Sequence, residues 1–463
     1  MSAKAATLGE LKDSGHEILP VKVEMRRNLI GKLKRGETLF PGIVGYEDTV
    51  IPQIANALLG GQDIILLGER GQAKSRIVRG LAALLDDETP VIDGTEIPEN
   101  PFRPITAEGR AILAEGGDRT PIKWLPREDR YAEKLATPDI TIADLIGEID
   151  PIKVAEGRYL GDELTIHFGL VPRVNRGIFA INELPDLAER IQVGLLNVLE
   201  ERDVQIRGHK VRLPLDVFLI ATANPEDYTN RGRIITPLKD RYGAQIRTHY
   251  PADLDHEIDI MEQEAASLDM GDYRVHVPGW MKEIIAEITH QARRSPDVNQ
   301  RSGVSVRASV ANYEALLANA FRRALRLGEK DVVPRISDLP FMLPSLQGKV
   351  EFEAMEEGQE DRITGRLLAQ SVKAVFDRCL DVNDLEAVVV SFNEGVSVET
   401  GEGVGAKAYK AIMTKLEGLG AAVEQLAEQP QAVASAVEFV LEGLHLHKLL
   451  NKASAGGRST FTG

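Results

Sequence analysis

Ile64-Ile65-Leu66-Leu67-Gly68-Glu69-Arg70-Gly71-Gln72-Ala73-Lys74-Ser75 is the stretch that decides the fold. Its four apolar residues read as a short buried strand. Ile77, Val78, Leu81, Leu84 and Leu85 then recur at helical spacing. A strand, a tight Gly-bearing loop, a Lys-Ser pair and a helix make a phosphate site. Loop N–H groups and the helix N-terminus point at the anion, the Lys reaches the β- and γ-phosphates, and the hydroxyl reaches Mg²⁺. Gly68, Glu69, Arg70, Gly71, Gln72, Ala73, Lys74 and Ser75 are therefore the candidate nucleotide-binding residues, with Ser75 also a metal candidate. They fit the pattern GxxxxGK[ST] except that the second Gly is Ala73. A methyl group there costs roughly 1–2 kcal/mol if the residue must be left-handed, and helps slightly if it is helical.

Working outward, further short apolar runs stand at Pro90–Ile92, Ile178–Ile181, Val217–Ala221 and Ala244–Thr248. Between them lies helical periodicity, as in Ile191, Leu195, Leu196 and Leu199. Strands alternating with helices predict a parallel sheet covered on both faces, with ligands at the carboxyl ends of the strands. Gly177-Ile178-Phe179-Ala180-Ile181-Asn182-Glu183 is a strand with a terminal acid. The expected partner of a phosphate loop ends in Asp-Glu, the Asp holding Mg²⁺ through water and the Glu polarising the attacking water. Here Asn182 stands in the Asp position. Its amide can hydrogen-bond a metal-bound water but brings no negative charge, so the metal dependence should differ. A third strand ends in Thr222-Ala223-Asn224-Pro225, where Asn224 can orient the water from the side opposite Glu183. Arg241 follows a short charged turn in Pro237-Leu238-Lys239-Asp240-Arg241, and Arg307 opens a later helix in Ser305-Val306-Arg307-Ala308.

These five features in this order resemble the AAA+ ATPases, and the details look like the clade of the magnesium chelatase ATPase subunit and the MoxR proteins. The resemblance runs from about Phe40 to Leu346. Asp144-Leu145-Ile146-Gly147-Glu148, continuing through Gly161 to Val171-Pro172-Arg173-Val174-Asn175-Arg176-Gly177, is similar to a segment with a hairpin inserted before the acidic strand. A second hairpin, Val204–Arg207 and Lys210–Leu213 around Gly208-His209, matches the pre-sensor hairpin of that clade. Phe40-Pro41-Gly42-Ile43-Val44-Gly45 resembles the loop whose backbone borders adenine, which adds Ile43, Val44 and Gly45 to the nucleotide set.

The resemblance implies a P-loop AAA+ core, a five-stranded parallel sheet between helices, followed by an all-helical lid and a C-terminal helical region. It implies ATP and Mg²⁺ as cofactors and a hexameric ring of identical subunits with ATP at their interfaces. Glu183 would activate water, Asn224 would sense the γ-phosphate, Arg241 would be the finger reaching the neighbour's nucleotide, and Arg307 a second sensor. Asn182 would stand beside the metal, and Arg176 would be a further interface arginine. A partner protein carrying a von Willebrand A domain is implied on a separate chain, because this chain has no Asp-x-Ser-x-Ser motif. The expected function is an ATP-hydrolysing motor or chaperone that remodels or metallates a partner. A nucleotide-dependent ring scaffold with little hydrolysis is the alternative, which Ala73 and Asn182 favour.

Composition narrows the rest. Seventy-one acidic residues against 55 Lys and Arg give a net charge of −16 over 463 residues. That balance disfavours a nonspecific grip on nucleic acid or an anionic membrane. The single Cys379 excludes an intramolecular disulfide and a Cys-rich zinc site. No apolar run approaches the roughly 20 residues of a membrane span, and a cytoplasmic protein is expected. The expected divisions are an N-terminal extension (1–39), the αβα nucleotide domain (40–251), a helical lid (252–350), a C-terminal helical region (351–452) and a disordered tail (453–463). Thr460-Phe461-Thr462-Gly463 faintly resembles a loop of sigma-factor activators, but its place in that tail argues against the role.

Overall fold

The computed structural model describes residues 4–155, 163–200, 213–225, 233–353 and 358–463. Gly161 and residues 204–212 of the second expected hairpin lie outside them. The chain divides into two compact units, Met1–His249 and Tyr250–Gly463.

The first unit is built on β1 (Ile64–Leu67), β2 (Tyr131–Leu135), β3 (Gly177–Asn182), β4 (Val217–Ala223) and β5 (Ala244–Arg247). Their order in the sheet is β2-β3-β4-β1-β5, and every neighbouring pair is parallel. All residues of β1 and β4 are buried, as central strands covered on both faces must be. One face packs Ile64, Leu66, Ile178, Ala180 and Ile220 against α1 (Val21–Arg35), α2 (Val50–Leu59) and α3 (Lys74–Gly80). The other packs Ile65, Phe179, Ile181 and Leu219 against α4 (Glu189–Glu200) and α5 (Thr236–Arg241). Within the expected N-terminal extension, Val21, Met25 and Leu29 of α1 join the same core as β1.

One strand differs from the sequence reading. The run at Pro90–Ile92 belongs to Glu88–Ile92, which pairs antiparallel with Ile122–Pro126 in a separate two-stranded ribbon. The fifth strand of the main sheet is β2, Tyr131-Ala132-Glu133-Lys134-Leu135, at its edge. An edge strand is bonded on one side only and tolerates charge, so it lacks the apolar run that marks β1. Gly147–Ile149 and Ile166–Phe168 pair as an antiparallel hairpin ahead of β3.

In the second unit α6 (Leu254–Glu264), α7 (Gly279–Arg294), α8 (Arg307–Leu327), α9 (Gln359–Cys379) and α10 (Val433–Leu446) share one core running from Met261 to Phe461. Trp280 of α7 stacks on Phe439 of α10 with ring centroids 4.2 Å apart. Gly443 of α10 lets Phe376 of α9 come so close that a Cβ there would stand 2.0 Å from the ring. The boundary expected at residue 350 is therefore not a break in packing.

Residues 453–463 are likewise not a disordered tail. β6 (Val398–Gly401), β7 (Asn451–Ala455) and β8 (Arg458–Thr462) form a sheet in the order β6-β8-β7, both pairs antiparallel. Gly456 and Gly457 turn the β7–β8 hairpin with φ of 59° and 75°, a backbone that Gly adopts without a Cβ clash. Phe461, 2% exposed, anchors β8 in the core. One large apolar residue among small polar ones is a weak signal in sequence, which is why the strand was not expected. Thr460 to Thr462 lie in this paired strand rather than in a loop. Among the described residues no helix is long and apolar enough to cross a membrane.

Candidate nucleotide-binding site

The loop after β1 is tied down before it reaches α3. The Gly68 N–H donates to the Ala223 carbonyl at 3.0 Å, which fastens the loop to the end of β4 beside Asn224. A Cβ on Gly68 would stand 1.8 Å from Thr248 Oγ1 and 2.3 Å from Gln72 Oε1, so only Gly fits. Gln72 Oε1 accepts the Glu69 N–H at 3.0 Å and the Thr248 hydroxyl at 2.6 Å, bracing the loop from within. Gly71 has φ of 76°. Ala73, the residue before α3, has φ of 54° and ψ of 11°, left-handed. That settles the question its methyl raised: the position asks for Gly, and Ala73 stands there at a cost of about 1 kcal/mol.

Lys74 is the first residue of α3 and is 7% exposed. Its Nζ donates to the Gly68 carbonyl and, at 2.8 Å, to the Glu69 carbonyl. Ser75 is exposed on the same turn. The adenine-loop candidates lie alongside. Ile43 is buried in the α1–α3 core, Val44 and Gly45 are half-buried, and Gly45 has φ of 79°. Tyr46, which the sequence reading passed over, joins the two loops. Its hydroxyl donates to the His249 carbonyl at 2.6 Å and contacts the Gln72 carbonyl at 3.1 Å. Burial pushes the Tyr46 phenol up to about 12, so it stays a donor.

β3 and β4 end next to this loop. Glu183 follows β3 with φ of 54°, a left-handed backbone that turns it off the strand axis. Its N–H donates to Thr222 Oγ1 at 3.2 Å, and that hydroxyl lies 3.2 Å from Asn182 Oδ1, to which it donates. Asn182 Nδ2 in turn donates to Glu133 of β2. Glu133 also accepts Arg79 Nε at 2.8 Å and the Tyr131 hydroxyl at 3.0 Å. Burial works to raise the Glu133 carboxyl, but hydrogen bonds from Arg79, Tyr131 and Asn182 outweigh it and hold it below the usual range. Asn224, just past β4, is 9% exposed.

These residues suit a nucleoside triphosphate with a divalent cation. The loop brings a cradle too tight for a Cβ at Gly68, a buried ammonium and a helix start. Among the described residues no group of three or more His, Cys, Asp or Glu is placed to hold a metal ion. That fits Mg²⁺, which takes one or two protein oxygens and fills its shell with phosphate and water. Ser75 and Asn182 are the residues expected to serve such an ion, the hydroxyl directly and the amide through a bound water.

The arginines divide. Arg241 ends α5, exposed, with Asp240 within 3.4 Å. Arg307 is exposed at the start of α8 in the second unit, its N–H on Ser305 Oγ at 3.1 Å. Arg176, expected at a subunit face, is instead 2% exposed. Its Nη2 donates to Thr89 Oγ1 at 2.9 Å, and its own carbonyl accepts Arg130 Nε at 2.8 Å. Burial lowers its guanidinium to about 10. It is a structural residue beneath the sheet because the Asn-Arg-Gly turn folds it inward with φ of 67°.

The chain is similar to several known proteins. The Sigma-54 interaction domain pattern matches residues 153–238. The magnesium-chelatase 38 kDa subunit of Cereibacter sphaeroides is 28% identical over 243 residues, 49% of this chain and 63% of that one. The corresponding subunit of Acidiphilium rubrum is 29% identical over 245 residues, again 49% of this chain and 63% of the relative. Over about half its length the chain is similar to the magnesium-chelatase subunits. The uncharacterized protein YeaC of Bacillus subtilis is 27% identical over 259 residues, 52% of this chain and 76% of its own. The chain spans about three fifths of the length of the chelatase relatives it matches, 63% in both cases.

Proposed function

We propose that this AAA+ chain binds ATP with Mg²⁺ at the loop after β1 and hydrolyses it within a ring of identical subunits. The ring, a hexamer, does mechanical work on a partner protein, in the manner of a chelatase motor or a MoxR-type chaperone. The observation that carries this is the convergence at one edge of the sheet. Lys74 is buried in the loop, the loop is bonded to the end of β4, and β4 is bonded to β3, so Asn224 and Glu183 flank the phosphate cradle. Bound Mg²⁺ would neutralise phosphate charge, with the Ser75 hydroxyl as its protein oxygen and Asn182 beside its water shell. Glu183 takes a proton from the attacking water and Asn224 orients that water. Arg241 reaches the γ-phosphate of the neighbouring subunit, and Arg307 serves as a second sensor. The partner carries a von Willebrand A domain on its own chain.

Arg241 acting in trans gives the decisive experiment. Arg241→Ala and Glu183→Gln should each bind ATP nearly normally and lose hydrolysis, by about 10³-fold for the arginine. Mixing the two creates interfaces with both groups intact, and those should regain part of the wild-type rate once labelled subunits are seen to exchange. Mixed rings as inactive as either parent would overturn the shared site. A second reading, a nucleotide-dependent scaffold with little hydrolysis, is favoured by the left-handed Ala73 and by Asn182. A steady-state ATPase rate no faster than that of Glu183→Gln would select it.

A further inference from the structure

Asn182 removes a charge from the strand end, and the fold brings another carboxylate to it. Glu133 of β2 pairs in register with Ala180, two residues before Asn182 on the same side of β3. Ala180 belongs to the face that α3 covers, so Glu133, Asn182 and Thr222 all lie on the side that carries Ser75. The Thr222 hydroxyl accepts the Glu183 N–H, which leaves its hydrogen for Asn182 Oδ1. That fixes the Asn182 amide with its Nδ2 toward Glu133. An N–H bonded to a carboxylate pushes electron density onto the amide oxygen, and this oxygen is the one proposed beside the metal's water shell.

We infer that Glu133 is the carboxylate of the Mg²⁺ site, a positioning residue that acts through Asn182 in place of the missing strand-end Asp. The inference rests on the nucleotide reading of the loop. Arg79 opposes this charge, since it lies one helical turn after Ser75 on α3 and pairs with Glu133 at 2.8 Å. The two side chains are not equally placed. Arg79 is 65% exposed and Glu133 only 18%, so water screens the arginine far more than the carboxylate. The pair is a dipole whose buried, negative end bonds Asn182.

The test is ATP binding by calorimetry across a Mg²⁺ series, with one point in excess EDTA. Glu133→Gln should leave the EDTA affinity as it is and raise the Mg²⁺ midpoint about tenfold, the usual range for a lost outer partner of a metal site. Arg79→Gln should move the midpoint the other way, about twofold lower, because it removes an opposing charge. Adding Asn182→Asp to Glu133→Gln puts the carboxylate back at the strand end beside an amide, and should return the midpoint to near wild type. A salt bridge that merely supports the fold would move Glu133→Gln and Arg79→Gln in the same direction, and that outcome overturns the assignment, as does an unchanged midpoint in Glu133→Gln. Should Glu133→Gln fail to fold, the sign of the Arg79→Gln shift still decides. A wild-type protein that binds no ATP overturns the functional reading itself, which separates the two failures.

Discussion

β1 and β2 belong to one sheet and have opposite sequences. β1 is Ile-Ile-Leu-Leu, buried throughout, with the phosphate loop at its end. β2 is Tyr-Ala-Glu-Lys-Leu, half-buried to exposed, and only β3 borders it. A central strand must be apolar because helices cover both its faces. An edge strand is free of that demand, and this one uses the freedom to bring Glu133 to the neighbouring strand end. Chemistry in this fold is therefore spread over two kinds of strand, one chosen for burial and one spared from it.

The comparison breaks most visibly at the loop. Lys74→Ala should remove ATP binding detectable by calorimetry, because it deletes the buried flexible ammonium of the cradle, while the helical content stays at the wild-type level. Unchanged ATP affinity would move the site elsewhere. Within the strands, Ile65→Ala on β1 should cost about 3 kcal/mol in urea denaturation, since it empties a fully buried site. Ala73→Gly sharpens the picture of the loop. It should raise stability by about 1 kcal/mol, read as a higher denaturation midpoint, because Gly takes φ near 54° without strain. The smallest effect is expected on the edge: Lys134→Ala on β2 should stay within about 0.5 kcal/mol of wild type. A loss there as large as that of Ile65→Ala would mean that β2 is covered by something else.

These differences also mark what could be read from sequence. The parallel sheet was legible at β1, β3 and β4 because each buries an apolar run, and at β5 through its β-type alternation around the buried Ile246. Lys74, Ser75, Glu183 and Asn224 could be named because they follow such runs at once. β2 was not legible, and Pro90–Ile92 took its place in the reading, because periodicity cannot tell a strand of the main sheet from one in a side ribbon. Glu133 was hidden with its strand. Tyr46 and Thr248 were hidden for another reason: Tyr46 bonds His249, 203 residues away, and Thr248 bonds Gln72, 176 residues away, and no local pattern encodes that. A signal for Glu133 did exist, in that Asn182 lacks the charge its position calls for. Arg176 could not be placed without its backbone, since a left-handed turn decides which way it points.

The ammonium of Lys74 is held by two carbonyls of its own loop. An arriving triphosphate must draw it off both before it can serve as counter-ion, so capture is an exchange of partners rather than the filling of an open socket. Association should then proceed in two observable phases. A fast, salt-sensitive encounter comes first, and a slower step follows whose rate levels off at high nucleotide concentration, set by how quickly one side chain lets go.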